Sequence, residues 1–201
     1  MNFILKSISY VFHPLIMPLL GVLFYFSKTP RFIPEPVQYA KVFSTVLLTI
    51  ILPLLVYFLL KTIKKVDSIY LKSTEERKLP LVINAFIISL VISKIFPADE
   101  IIELYFFFIG VLISTILCFI FTLLKTKASI HMLAASGFFM FAVLLSLHFK
   151  INVNGTIAMM AFLLGAIATS RLYLKAHTYP ELLYGLLIGI IPQLFLFRFW
   201  L

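Results

Sequence analysis

The sequence predicts an all-α, polytopic membrane bundle of about six to seven transmembrane helices, and three observations carry that reading. Of 201 residues, 62% are hydrophobic and only 12% are charged, against roughly 45–50% and about 25% in soluble domains. The mean hydropathy is +1.10, more than a soluble globule of this size has interior to hide. The apolar residues also gather into successive runs close to the roughly 20 residues that carry a helix across a bilayer core. The chain is therefore read as one membrane domain over residues 1–201, with no soluble unit long enough to stand alone.

The runs follow in order. Residues 10–27 are too rich in aromatics and prolines for a cleaved signal, and no small-residue cleavage site follows them. Residues 42–60 form the second run and residues 80–96 a short third one. Residues 104–124, 132–149, 153–169 and 181–201 complete the set. All are apolar on every face, whereas strands of a membrane barrel would alternate apolar and polar positions. A re-entrant segment would read the same way as the first or the fifth run. Tight turns are expected near 97–103 and 149–152, and Pro30, Pro34 and Pro36 mark a longer loop over 28–41.

Three polar gaps remain: residues 61–79 (KTIKKVDSIYLKSTEERKL), 125–131 (KTKASIH) and 170–181 (SRLYLKAHTYPE). They follow the second, fourth and sixth runs. If all seven runs cross, the three gaps lie on one side of the membrane with the N-terminus, where one shared site is geometrically possible.

Charge narrows the partners. The net charge is +9 with a pI of about 9.7, but the basic residues sit in short gaps between apolar runs. Anionic headgroups and phosphorylated lipids fit that placement, and nucleic acid does not. The single cysteine, Cys118, lies inside an apolar run, which excludes a disulfide framework and a cysteine-built metal site. Asp67 and Asp99 are isolated, unlike the paired aspartate-rich motifs with which a prenyltransferase holds magnesium. A transporter would be marked by intramembrane charges, and Lys94 falls near a helix end.

Histidine placement is more informative. His131 and His177 fall at helix starts on the shared side, each near Ser, Arg or Lys. One such histidine would read as interfacial, whereas two on one face point to a site. His13, beside Pro14, is read as structural or as lining that site, and His148 as interfacial on the other side. Arg171 either snorkels to the headgroups or joins His177 and Glu181. Glu181 is four residues after His177, one helical turn on, where a carboxylate can fix the tautomer of a nucleophilic histidine. Pro180 suits a helix's first turn and leaves residues 176–179 non-helical.

These residues resemble the signatures of the type 2 phosphatidic acid phosphatase superfamily. Ser170-Arg171, five residues, His177, three residues and Glu181 resemble its third signature, S-R-x5-H-x3-D. Ala128-Ser129-Ile130-His131 resembles the second, P-S-G-H, at Ser and His. Lys72, six residues, Leu79-Pro80 resembles the first, K-x6-R-P, at Lys and Pro, with Arg77 two positions early. The resemblance runs roughly from Lys72 to Glu181, within a phosphatase-like core of about residues 61–201. Glu181 stands where the family has Asp, Ala128 and Ile130 where it has Pro and Gly, and two helices separate the first and second signatures.

The resemblance implies a metal-independent, cofactor-free hydrolase acting on a phosphorylated lipid. His177 would attack phosphorus and form a phosphohistidine, Glu181 would hold and polarise it, and His131 would act as general acid. Lys72, Arg77, Arg171, Ser129, Ser170 and Lys127 would bind the phosphate. Lys78 and Lys175 are read as solvated lysines near headgroups. Once the motif cations are set aside, basic residues are balanced across the two sides, so charge leaves the orientation open. The leading expectation is a lipid phosphatase of a cell's inner membrane, cleaving a phosphate monoester or a diphosphate. The alternative is a catalytically inactive phospholipid-binding or scaffold membrane protein on the same fold.

Overall fold

The structure is a computed structural model that describes residues 2–67, 71 and 73–201. Among them there is no strand. The helices are α1 (Asn2–Val11), α2 (Met17–Lys28), α3 (Glu35–Val46), α4 (Leu52–Thr62), α5 (Thr74–Lys94), α6 (Ile102–Leu123), α7 (Ile130–Phe149), α8 (Asn154–Tyr173) and α9 (Tyr179–Leu196). Six segments are long and apolar enough to cross a membrane: Ser7–Lys28, Glu35–Thr62, Ile102–Leu123, Ile130–Phe149, Asn154–Tyr173 and Tyr179–Phe199. The remaining apolar run is α5, which packs along α6. The chain is thus a multi-pass helical membrane bundle.

Prolines shape its first third. Pro14 opens a single 3-10 turn, Pro14–Ile16, capped by His13, whose Nδ1 accepts the Leu15 N–H at 3.4 Å. The first apolar run is therefore a broken helix. Pro34 and Pro36 start α3 seven residues before the second run becomes apolar. A π turn, Leu47–Ile51, then joins α3 to α4. Pro53 cannot donate to the carbonyl four residues back, and the widened turn absorbs the register change without breaking the helix.

The C-terminal ends of four helices share one device. Lys64, Lys125, Lys150 and Lys175 all have φ between 50° and 58°. Each sits just past the end of α4, α6, α7 or α8. The next residue's N–H returns to the carbonyl five back: Lys65 to Leu60, Thr126 to Phe121, Ile151 to Ser146, Ala176 to Arg171. This is the Schellman closure, usually made by glycine. A lysine carries the left-handed backbone at some steric cost and complements the negative end of the helix dipole. Lys175 is thus a helix terminator as well as an exposed cation. Lys78, read from sequence as a solvated lysine, is paired with Glu75 at 2.7 Å.

α9 is strapped to its neighbours by small residues. A Cβ on Gly185 would strike the Ser129 carbonyl, and one on Gly189 would strike the Leu133 carbonyl and Ser136 Oγ. The Gly185-x3-Gly189 spacing lets α7 and α9 approach at backbone distance, a packing mode suited to membranes. Ser136 Oγ donates to Leu186 O at 3.1 Å, Ser114 Oγ to Ile188 O at 2.8 Å and Gln193 Nε2 to Phe107 O at 3.0 Å.

The end of the bundle away from the polar gaps is closed by a charge cluster. Glu103, fully buried, pairs with Arg31 at 2.7 Å and His148 at 3.2 Å and accepts from Tyr25 Oη at 3.2 Å. His148, read from sequence as interfacial on this side, is half-buried against this carboxylate, with the Trp200 ring edge-on at 5.2 Å. A buried carboxylate needs partners, and here they come from α2, the loop after it, and α7.

Candidate functional site

The polar gaps meet at the opposite end. There Arg77, Lys127, His131, Arg171 and His177 line one cavity of about 700 Å³. Each is brought in by a local rule. Ser73 caps α5 by accepting the Glu76 N–H at 3.2 Å, which starts the helix early and carries Arg77 on its second turn. Ser129 caps α7 by accepting the Met132 N–H at 3.4 Å, which puts His131 in the first turn. The Lys175 closure ends α8 and turns the chain so that His177 enters just before α9.

His177 is buried, 8% exposed, and its Nδ1 lies 2.8 Å from Glu181 Oε2. A carboxylate only accepts, so Nδ1 carries the proton and Nε2 keeps its lone pair. The same Oε2 accepts the Thr178 backbone N–H at 3.2 Å. Glu181 is therefore both the N3 member of a capping box and the orienter of His177. Burial first, then the nearby Arg77 and Arg171 charges, push the His177 imidazole down to about 4, against the opposing pull of Glu181. At neutral pH the ring is uncharged, as a nucleophile must be.

His131 has its own orienter. Its Nε2 lies 3.2 Å from the Ser9 carbonyl, 122 residues away in sequence. A carbonyl cannot donate, so Nε2 bears a proton and Nδ1 is left for other work. The His13 ring stands edge-on to it, with centroids 5.6 Å apart, which resolves His13 as a lining residue that also caps a turn. Ser9 does more than hold His131. Its Oγ accepts from Arg171 Nη1 at 3.4 Å and meets Ser170 Oγ at 2.7 Å. Ser170 Oγ in turn donates to Leu5 O at 2.6 Å. Arg171 is only 4% exposed, so it does not snorkel.

The predicted phosphate-binding residues separate into two groups. Arg77, Arg171 and Lys127 line the cavity. Ser129 and Ser170 do not; both are fully buried and spend their hydroxyls on a helix cap and on α1. Their part is to place His131 and Arg171. Lys72 lies outside the described residues. Arg77 also has a second task, donating from Nε to Leu71 O and from Nη1 to Ala128 O, both at 2.9 Å. Sequence reasoning missed Ser9 and Asn84, which also line the cavity. Asn84 was detectable as a polar residue two turns after Arg77, whereas Ser9 carried no local signal. Among the described residues, no group of three His, Cys, Asp or Glu side chains is placed to hold a metal ion.

This arrangement offers a neutral imidazole with a free Nε2, a second oriented imidazole and two buried guanidiniums at the mouth of an apolar cavity. It can accept a tetrahedral anion and transfer a group to nitrogen. Comparison with known protein families, curated proteins and solved structures finds no match for this chain.

Proposed function

We propose that the chain is an integral-membrane lipid phosphatase that cleaves a phosphate monoester or diphosphate of a lipid, as the resemblance to type 2 phosphatidic acid phosphatases implies. In the first step His177 Nε2 forms a bond to phosphorus while the bond from phosphorus to the lipid oxygen, or to the bridging oxygen of a diphosphate, breaks. Glu181 stabilises the charge that grows on the ring. His131, held through Nε2–H by the Ser9 carbonyl, takes a proton from the substrate phosphate onto Nδ1 and relays it to the departing oxygen. In the second step water attacks phosphorus, its proton passes through His131 Nδ1 to the released phosphate, and the P–N bond breaks to restore His177. Arg77 and Arg171 neutralise the equatorial oxygens throughout. The cavity is lined in part by residues at the ends of candidate spans, from which we infer that the site opens at a membrane boundary, in a cell's inner membrane.

The observation that carries this reading is the His177–Glu181 contact at 2.8 Å beside a cavity that also receives both arginines. The test is phosphate release by the purified protein from phosphatidate, an alkyl phosphate and a polyprenyl diphosphate. An acid-labile, alkali-stable phosphoprotein should be trapped in wild type and be absent from His177→Ala. No release from any of these lipids, and no trapped phosphoprotein, would sink the proposal.

One observation favours the alternative of a phospholipid-binding protein without turnover. The loop that in the family pattern carries glycine is closed here. Ser129 N–H donates to Glu181 O at 2.9 Å and the Ala128 carbonyl is held by Arg77, so neither group is offered to a phosphate. Tight lipid-phosphate binding without release or a trapped intermediate would establish that second reading.

A further inference from the structure

Pro14 sets two groups beside His131 with a single break in the chain. It ends α1 at Val11 and keeps the residue before it out of helical geometry. His13 is accordingly extended, at φ −67° and ψ 141°. The Ser9 carbonyl thereby falls in the last turn of α1, where helix carbonyls have no intrahelical partner, and His131 Nε2 takes it up. The same break turns the His13 ring against that of His131.

The tautomer of His13 follows from its cap. Its Nδ1 accepts the Leu15 N–H, so in the neutral ring the proton sits on Nε2. That Nε2 makes no hydrogen bond among the described residues, and the ring lines the cavity. His131 has its proton on Nε2, spent on Ser9, and keeps a lone pair on Nδ1. One ring therefore brings a donor to the cavity and its neighbour an acceptor, with centroids 5.6 Å apart. An oxygen that both donates and accepts, as in water, fits such a pair at ordinary hydrogen-bond lengths of about 2.8 Å. The Arg171 charge acts on His13, His131 and His177 alike, so the three rings gather about one guanidinium. Tyr57 and Asn84 line the cavity too. Tyr57 packs on Phe58, and neither side chain has its donor fixed by a second bond among the described residues.

We propose that His13 is a third catalytic histidine, whose Nε2–H donates to the reacting oxygen that His131 also serves, opposite His177. The inference rests on the phosphatase reading of the site. Displacement at phosphorus places the entering and leaving groups roughly in line, so the departing lipid oxygen and the incoming water occupy one position in turn. In the first step His13 stabilises the charge that gathers on the departing oxygen. In the second, water lies between the two rings. It gives a hydrogen to His131 Nδ1 and accepts the His13 N–H, which leaves its other lone pair for phosphorus. The O–P bond forms as the P–N bond breaks. The water's proton leaves through His131 Nδ1, and His13 keeps its own proton throughout.

The test is the lifetime of the phosphoenzyme, measured on the full-length protein in detergent. It is formed from radiolabelled phosphatidate, n-alkyl phosphate or polyprenyl diphosphate, separated from the lipid and left to hydrolyse at neutral pH. Two variants separate the cap from the cavity. His13→Asn keeps an oxygen that accepts the Leu15 N–H, and asparagine is among the best caps, but it has no donor at the Nε2 position. His13→Gln carries an amide N–H about as far as Nε2 and loses the cap. His13→Asn should melt with wild type while its phosphoenzyme decays about tenfold more slowly, the worth of one hydrogen bond. His13→Gln should melt lower and recover part of the decay rate. Decay rates that follow Tm across the variants would overturn the proposal. A phosphoenzyme that forms and decays equally fast in wild type and His13→Asn removes the role of His13 alone. No phosphoenzyme in wild type with any of the three lipids removes the phosphatase reading, and this role with it.

Discussion

Glu181→Gln is the substitution that separates chemistry from folding most cleanly. One carboxylate oxygen accepts both the His177 Nδ1–H at 2.8 Å and the Thr178 N–H at 3.2 Å. Glutamine keeps a carbonyl oxygen able to accept either and removes only the charge. That charge matters when phosphorus bonds to Nε2 and the ring becomes cationic. Opposite unit charges about 4 Å apart attract by about 4 kcal/mol at an effective dielectric of 20. The Glu181 side chain is 21% exposed, so water screens part of this; about 3 kcal/mol remains, a loss of about 10²-fold in kcat. The capping box survives, so the stability change is confined to the dipole contribution of about 0.3–1 kcal/mol. The assay pairs single-turnover phosphate release with a thermal melt. Glu181→Asp, the residue in the signature that the sequence resembles, should retain measurable turnover, and Glu181→Ala should lose both cap and activity. A lower Tm in Glu181→Gln with full activity would refute the argument and leave Glu181 as a helix cap alone.

The remaining predictions concern pH and stability. Because the His177 imidazole is held down at about 4, kcat/KM should fall on the acid side only as pH drops through about 4; an acid limb near the ordinary histidine value of about 6.5 would contradict this. The unfolded chain binds that proton more readily, so the stability from keeping His177 neutral is complete above about pH 6.5 and drains as pH falls from there to about 4. The Tm of wild type should accordingly drop more between pH 7 and 5 than that of His177→Gln. Glu103→Gln, at the far end of the bundle, should cost about 1–3 kcal/mol, the worth of charged hydrogen bonds, and leave phosphate release unchanged; altered turnover would show that the two ends are coupled. Lys150→Gly should stabilise by about 1 kcal/mol, because it relieves a left-handed backbone at φ 52°, and a lower Tm would mean that the lysine's charge at the α7 terminus matters more.

The fold was legible because a membrane span is a composition signal over about 20 residues, and such long averages survive local irregularity. The helices begin outside the apolar runs where caps intervene: Ser73 starts α5 and Pro34 starts α3 before the hydrophobic residues begin. The His177–Glu181 pair was legible because four residues with Pro180 between them leave few geometries. What escaped were contacts across long sequence separation. Nothing near Ser9 announces that its carbonyl will orient His131, or its hydroxyl meet Ser170 and Arg171. Nothing around His148 announces Glu103. The capping lysines escaped for another reason: a lysine after an apolar run reads as charge, and its left-handed backbone has no signature in residue type. Gly185-x3-Gly189 was open to reading, since only small residues at that spacing admit the α7 backbone.

The places where the chain differs from the signatures it resembles are connected by this geometry. Arg77 stands two positions earlier than the first signature would place its arginine, and Ile130 replaces the glycine of the second. In the structure Arg77 reaches the connection just before Ile130, donating from Nη1 to the Ala128 carbonyl at 2.9 Å. An arginine on the second turn of α5 reaches the 124–129 connection, fixes its carbonyl from one side, and still lines the cavity. The other side of that connection is fixed when Ser129 N–H donates to Glu181 O. With both faces of the turn held, glycine's freedom is no longer required there, and an ordinary helix start with Ser129 as cap carries His131 into the cavity. Glu181 is the second anchor of the same arrangement, since its backbone carbonyl holds Ser129 while its side chain holds His177. The two histidines are thus positioned relative to one another through Glu181 and the Ser129 cap. A change that loosens the 128–129 turn should therefore disturb His177 as well as His131, although the two lie in different loops.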